Sequence, residues 1–491
     1  MSKARLFASM VCLGLGLISG GTGWAQERGP DLVSRAEAKQ KAGDLDGAIA
    51  DLDRAIQLMP DYTYAYKARG LAKKAKGDLD GAIADFDRVI VLNPEDAGAF
   101  NLRGNAKLAQ RNFNGAIADY TQAIGISPDY TWAYNNRGAA KHALGDYEGA
   151  ITDYDRSIEI DPKSASAYFG RGTSKLGKRD LVGALADYDR AVEIDPQYAA
   201  AYNNRGNVQY AQGSFAGAVA DYDRAVALDP KYALAFFNRG LAKSAQDDLA
   251  GAVADYDLSI GLHPKYAPAF HYRGLAKKTQ GDVVGASADF SRAIELNPKD
   301  AGPYNSRGNV RYAQGDLAGA VADFDKAIEL NPKSAGLFNN RGRVKRAMGR
   351  LDAALADFQS GSRQDHLYCA LFAWIALSEK GDPEGAKADL SGAMDRRRKA
   401  GLDDWGTNLA GALLGQVTEG EIVALAEAGR NEKERRERLC EAWYYLGMAK
   451  LLAGDRDGAA GRFRKALATD RTSFIEYEEA RRELRKLDGI R

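Results

Sequence analysis

Residues 131–164 read TWAYNNRGAAKHALGDYEGAITDYDRSIEIDPKS, and residues 199–232 read AAAYNNRGNVQYAQGSFAGAVADYDRAVALDPKY. Each block is 34 residues long, and the two align without a gap. Small and apolar residues recur at helical spacing on both sides of a central Gly-Asp or Gly-Ser step. That pattern predicts two amphipathic helices joined by a tight turn. The proline near the block's end recurs at Pro60, Pro94, Pro128, Pro162, Pro196, Pro230, Pro264, Pro298 and Pro332, always at an interval of 34. A fixed period of this length marks stacked supersecondary repeats. With that proline at repeat position 32, ten units run from Gly29 to about His366, which takes the proline's place in the tenth.

The columns have physical readings. Position 20 is alanine in all ten units, among them Ala82, Ala116, Ala150 and Ala184. Position 8 is glycine in nine, among them Gly70, Gly104, Gly138 and Gly172. Side chains this small let two helices approach closely, and the aromatics at positions 4 and 24 fill the space around the contact. Glycine at position 15, as in Gly77 and Gly145, suits a left-handed helix stop. Aspartate at position 16, as in Asp78 and Asp146, is a good N-cap for the second helix. One unit cannot bury its apolar face alone, so neighbours must stack. The expected fold is an all-α solenoid.

These columns resemble the tetratricopeptide repeat (TPR) family over about two thirds of the chain. The resemblance implies a right-handed superhelix of helix–turn–helix units whose first helices line a concave groove. Carried onto this chain, the groove positions hold Asn101, Asn135, Asn203, Asn305 and Asn339, then Asn136, Asn204, Asn238 and Asn340, then Asn105, Asn207 and Asn309. Trp132, Phe169, Tyr210, Phe237 and Tyr312 interleave with them. An amide both donates and accepts. A row of amides can therefore bond the backbone of an extended peptide, with aromatic anchors between them. The competing reading is that the asparagines are polar surface or tie one repeat to the next. The carboxylate clamp of chaperone-binding TPRs has its nearest approach in Lys67, Asn101 and Asn105.

The array departs from the family at position 7, which is arginine in all ten units, from Arg35 to Arg341. Position 23 is aspartate throughout, from Asp51 to Asp357, and position 25 is aspartate in seven units. Because acids and bases share one period, the favoured reading is a ladder of internal Arg–Asp pairs. An anion-binding stripe is the alternative.

Lys3 and Arg5, an apolar run from Leu6 to Ile18, and the small residues up to Ala25 read as an export signal, residues 1–25, cleaved after Ala25. The mature chain would then be periplasmic or secreted, without a membrane span. Retention as a membrane anchor, or a lipid on Cys12, are the rival readings. Cys369 and Cys440 remain, and they read as buried apolar residues or, alternatively, as a bridge. Lys plus Arg is 68 and Asp plus Glu is 67, a balance that gives no footprint for nucleic acid.

Past His366 the register slips. Residues 367–437 read as divergent helical repeats, with Gly429 to Arg438 an exposed connection. Residues 438–473 read as a late TPR unit, and 474–491 as a capping helix whose polar face meets solvent. Trp405, Leu413-Leu414-Gly415, the run Glu441 to Gly447, Gly454-Asp455 and Phe474-Ile475-Glu476-Tyr477 resemble the C-terminal part of NlpI-type envelope lipoproteins. That resemblance implies a periplasm-facing adaptor for wall hydrolases or a protease.

Four histidines without ligand spacing, no CxxC, no Gly-x-Ser-x-Gly and no phosphate loop leave no candidate catalytic residue, metal or cofactor. The expectation is a non-catalytic scaffold that binds other proteins of the cell envelope. A structural subunit of a secretion or export complex, and a periplasmic glycan-binding protein, are the alternatives.

Overall fold

The computed structural model describes residues 28–489 other than 365, 403, 472 and 473. The expected export signal lies outside the described residues. Those residues form 27 helices and no strand. They divide into two compact units, Met1–Pro196 and Gln197–Arg491. The first holds five helix pairs, from Gly29–Lys41 to Leu181–Ile194. The second holds five more, from Ala199–Ala211 to Leu351–Ser362, and then seven helices of the tail.

The fourth repeat shows how each pair forms. Its first helix, Thr131–Ala143, stops before Gly145, whose φ of 83° is left-handed. Its second, Tyr147–Ile160, is capped by Asp146, which accepts from the Gly149 amide. Arg111, Arg179 and Asp247 stand at the same turn with φ of 62°, 65° and 63°. A side chain there is held against its preference at a cost of about 1 kcal/mol. Between the helices, glycine meets an aromatic ring. A Cβ on Gly70 would stand 2.6 Å from Phe86, and one on Gly104 2.6 Å from Tyr120. At Gly138 and Gly172 the same atom would meet Tyr154 and Tyr188 at 3.0 and 3.1 Å. Ala82, Ala116, Ala150 and Ala184 are fully buried beside them.

The arginine column is spent inside the array. Arg103 donates through Nε and Nη2 to Asp119 at 3.0 and 2.6 Å, and through Nη1 to Asp87 of the preceding repeat at 2.5 Å. Arg69, Arg171, Arg239, Arg273 and Arg341 repeat both contacts. Arg137 and Arg307 keep the in-repeat aspartate but reach the hydroxyls of Thr121 and Ser291 instead of a second acid. Lysine at position 11 shares the aspartate oxygen that the arginine Nε reaches, as Lys107 does on Asp119 Oδ2 at 2.8 Å. From Arg69 onward each guanidinium also lies near the position-4 ring, 5.3 Å from Phe100 for Arg103, whereas the first repeat has Leu32 there. With cations on both oxygens, Asp51 of the first repeat is lowered to about 2, mainly by the Arg35 hydrogen bond.

In the second unit the helix Leu367–Glu379 is buried over most of its surface and forms the hub of the largest core. Phe372 stacks on Phe358 of the tenth repeat and meets Tyr444 and Tyr445 of the helix Glu432–Leu452. That helix corrects one expectation. The stretch read as an exposed connection is helical from Glu432, capped by Asn431 and braced by Arg438 on Glu434. Dense mixed charge there is the pattern of a solvated helix turn. Cys369 and Cys440 are buried free thiols, raised to about 12 by burial.

The closing helix, Ile475–Leu487, corrects a second expectation. Its acidic face is buried instead of solvated, with Glu476, Glu479 and Glu483 between 1% and 4% exposed. It lies on the first helices of the ninth and tenth repeats. Arg343 donates to Glu479 at 2.8 Å and Arg346 to Glu483 at 3.0 Å. The Tyr312 hydroxyl donates to Glu479 at 2.8 Å. No other repeat carries arginine at the repeat positions of Arg343 and Arg346, so a carboxylate face finds partners here.

Candidate functional site

The asparagines of the first helices sort into two groups. In the larger group the amides are tied to each other. The Asn136 amide donates to Asn101 Oδ1 at 2.9 Å, Asn238 to Asn203 at 3.0 Å, and Asn340 to Asn305 at 2.9 Å. In each pair a position-6 amide reaches the position-5 carbonyl of the preceding repeat, 35 residues back. Asn238 also donates to Asn207, which accepts from the Tyr222 hydroxyl, as Asn105 accepts from Tyr120. Asn203 donates to Asn204 at 3.1 Å. Asn101, Asn203 and Asn339 are buried, while Asn204 and Asn309 are half-buried. Lys67 pairs with Asp96, so all three groups of the nearest clamp approach are engaged internally.

The aromatics divide likewise. Phe237 is buried among the rings of Tyr256, Tyr266 and Tyr272. Tyr210 packs on Phe215, and Tyr312 lies under the closing helix. Trp132 is 66% exposed.

The second group holds two asparagines with unmet capacity. The side-chain oxygens of Asn135 and Asn339 are buried and accept no hydrogen bond. Both stand at position 5, and the residues 35 further on, Gly170 and Trp374, carry no amide to reach them. Each lines a cleft within its own unit.

The first cleft, of about 300 Å³, gathers Trp132, Asn135, Asn136 and Phe169 with His142, Ser166, Gly170 and Thr173. Gly170 leaves room for the Tyr154 ring, which a Cβ would meet at 2.3 Å. Burial lowers the pKa of His142, and its Nδ1 lies 3.1 Å from the Ser174 hydroxyl. A neutral imidazole, an open carbonyl and two aromatic faces suit uncharged N–H donors and apolar side chains.

The second cleft, of about 450 Å³, gathers Asn339 and Asn340 with His366, Tyr368, Glu441, Phe474, Ile475 and Glu476. Sequence reading missed this gathering, because its walls come from segments 73 and 35 residues apart in the tail as well as from the array. One signal was present: Glu441 shares a helix face with the buried Tyr444, Tyr445 and Met448, whereas Glu476 belongs to the acidic face of the closing helix with Glu479 and Glu483. Tyr368 donates to Glu441 at 3.0 Å, and the Trp405 indole donates to the same carboxyl. Burial and the neighbouring Glu476 push Glu441 well above the usual carboxylate range.

Among the described residues no group of three or more His, Cys, Asp or Glu could hold a metal ion. No described helix is long and apolar enough to cross a membrane.

The helix pairs match the family description TPR repeat over residues 104–145, 140–177, 180–213, 206–247 and 308–349, and tetratricopeptide repeat over 33–97. The chain belongs to the tetratricopeptide repeat proteins, an all-α solenoid class of protein-interaction modules. Among named relatives, it is 34% identical over 119 residues to a lipoprotein NlpI homolog of Haemophilus influenzae. That match covers 24% of this chain and 37% of the relative. Among solved structures it is similar to a tetratricopeptide repeat protein of Parabacteroides merdae, 19% identical, with a TM-score of 0.42 over 50% of this chain and 98% of that one. It is also similar to pilF of Pseudomonas aeruginosa, 20% identical, with a TM-score of 0.40 over 44% and 97%.

Proposed function

We propose that this chain is a non-catalytic adaptor of the bacterial cell envelope that holds extended peptide segments of other proteins against its first helices. The observation that carries the reading is the buried Asn135 oxygen without a donor, set in a cleft beside the exposed Trp132 and Phe169. A peptide N–H is the neutral donor such an oxygen lacks, and a tryptophan at the rim is a common interface anchor. The envelope assignment is supported by the export-signal pattern of residues 1–25 and by the partial likeness to a lipoprotein. Cleavage after Ala25 would release the chain to the periplasm.

The test is a crosslinking pull-down from intact envelopes with the wild-type chain and a Trp132→Ala/Asn135→Ala variant. Enrichment of wall hydrolases or a protease, lost in the variant, is the expected result. Recovery of export-channel components equally in both samples would refute it and favour an assembly subunit. Binding to isolated wall material without protein partners would favour the glycan reading.

A further inference from the structure

We propose that the cleft walled by Asn339, Tyr368, Glu441 and Glu476 binds the cationic end of an arginine or lysine side chain presented by a partner peptide. This rests on the reading of the chain as a peptide binder and adds a side-chain preference at a place separate from Trp132 and Asn135.

Three acceptors converge on this space and all lack a cation. Glu441 is 5% exposed, Glu476 4% and Asn339 3%. Glu441 receives only neutral donors, the Tyr368 hydroxyl and the Trp405 indole. Glu476 receives the Tyr445 hydroxyl at 3.3 Å. The Asn339 oxygen receives nothing. Among the described residues no Lys, Arg or His forms an ion pair with Glu441 or Glu476. The contrast lies on the same helix, where Glu479 and Glu483 are met by Arg343, Arg346, Arg482 and Lys486. Arg343, the cation nearest Glu476 in electrostatic effect, is committed to Glu479. Burial lowers the pKa of His366, so its ring supplies no charge.

Burying a carboxyl beside another without a counter-charge is costly, and a core position needs neither. An ammonium or guanidinium group would satisfy all three acceptors at once, and the planar fork of arginine suits two carboxyl groups. Phe474 and Tyr368 offer apolar wall for the methylene stem. Burial raises both carboxyls, and a cation placed beside them would favour their ionised forms.

The test uses the full chain labelled with 5-fluorotryptophan, with the Trp405 resonance assigned from Trp405→Phe. Acetylated, amidated Ala-Ala-Arg-Ala-Ala is titrated beside its lysine and citrulline counterparts, the last being neutral and of the same shape as arginine. The arginine and lysine peptides should shift the Trp405 resonance, with affinity at least tenfold above citrulline. Glu441→Gln and Glu476→Gln should each remove that preference. Equal affinity for citrulline, or an unmoved Trp405 signal, would overturn the proposal on the wild-type chain, independently of the Glu441→Gln and Glu476→Gln variants. A calcium or zinc shift in place of a peptide shift would overturn it in favour of an inorganic cation. The Trp132 resonance in the same spectra reports on the other cleft. Movement there with Trp405 unmoved therefore sinks this proposal alone, while both signals unmoved by envelope-derived peptides sinks the peptide reading itself.

Discussion

Replacing Arg343 with methionine should release the closing helix from the ninth and tenth repeats. The side chain is 3% exposed and its partner Glu479 1%, with donation at 2.8 and 3.2 Å. Its guanidinium lies 5.3 Å from the Tyr312 ring and 5.5 Å from Phe372. Removing one partner of a buried ion pair costs about 3–5 kcal/mol, because the other charge stays desolvated. Glu479 would keep the Tyr312 hydroxyl, Arg482 at 3.3 Å and Arg346 at 3.6 Å, which places the loss at the lower end, about 3 kcal/mol. At 1.4 kcal/mol per factor of ten, that is roughly a hundredfold. The helix is terminal, so the cost should appear as local opening instead of global unfolding. Hydrogen exchange of residues 475–487 should therefore accelerate about a hundredfold while the first unit is unchanged. In an Arg343→Met/Glu479→Gln double variant the loss should fall well short of the sum of the singles. Unaltered exchange in 475–487 would show that the ion pair does not hold the helix down. Acid offers a check without mutation. Burial alone would raise Glu479, but Arg343, Arg482 and Arg346 outweigh it and lower it to about 2. A depressed carboxyl stabilises above its unfolded value and loses that contribution as pH falls through the folded one. Docking should weaken between about pH 4.5 and 2.

Other outcomes follow from the same geometry. Arg103→Leu leaves the buried Asp119 with Lys107 alone and should cost about 2–4 kcal/mol in thermal unfolding; a loss under about 0.5 kcal/mol would make the ladder decorative. Asp247→Gly relieves a left-handed side chain and should stabilise by about 1 kcal/mol, whereas the same change at the α-helical Asp255 should destabilise. Gly104→Ala drives a Cβ to 2.6 Å from Tyr120 and should cost about 1–3 kcal/mol; an unchanged melting temperature would mean the ring moves freely. Glu441→Gln keeps one oxygen for the Trp405 indole, turns its amide donor toward the Tyr368 hydroxyl, and removes an acid raised by burial. Such a group stabilises below its unfolded pKa and loses that contribution as pH rises, so the stability of the variant relative to the wild-type chain should rise from pH 4 to pH 8, read by thermal unfolding at the two pH values; a pH-independent difference would refute it.

The periodic part of the fold was legible because each column does one physical job ten times over. Gly104 against Tyr120, and Arg103 between Asp87 and Asp119, could be argued from spacing alone, since helical geometry and opposite charge at one period leave few arrangements. The tail was legible only as helices. Its closing helix shows an apolar stripe in sequence, and nothing local tells that Glu479 would turn toward Arg343, 136 residues away. The candidate site was legible in residue type but not in use. Position and chemistry nominate Asn101 and Asn135 equally. Only the identity of the residue 35 further on, Asn136 or Gly170, decides that one carbonyl is occupied and the other open.

The bridging arginines also give the array a grain. Within the first unit the aspartate links run Asp53 to Arg69, Asp87 to Arg103 and Asp155 to Arg171, with Thr121 to Arg137 the uncharged exception. Within the second, Asp223, Asp257 and Asp325 serve Arg239, Arg273 and Arg341, and Ser291 serves Arg307. Pulled from its ends, a string of such links yields first where the bond is weakest. The seams at Thr121 and Ser291 should therefore yield first under load, and salt, which softens the charged seams and spares the hydroxyl ones, should even out the forces at which successive repeats peel apart.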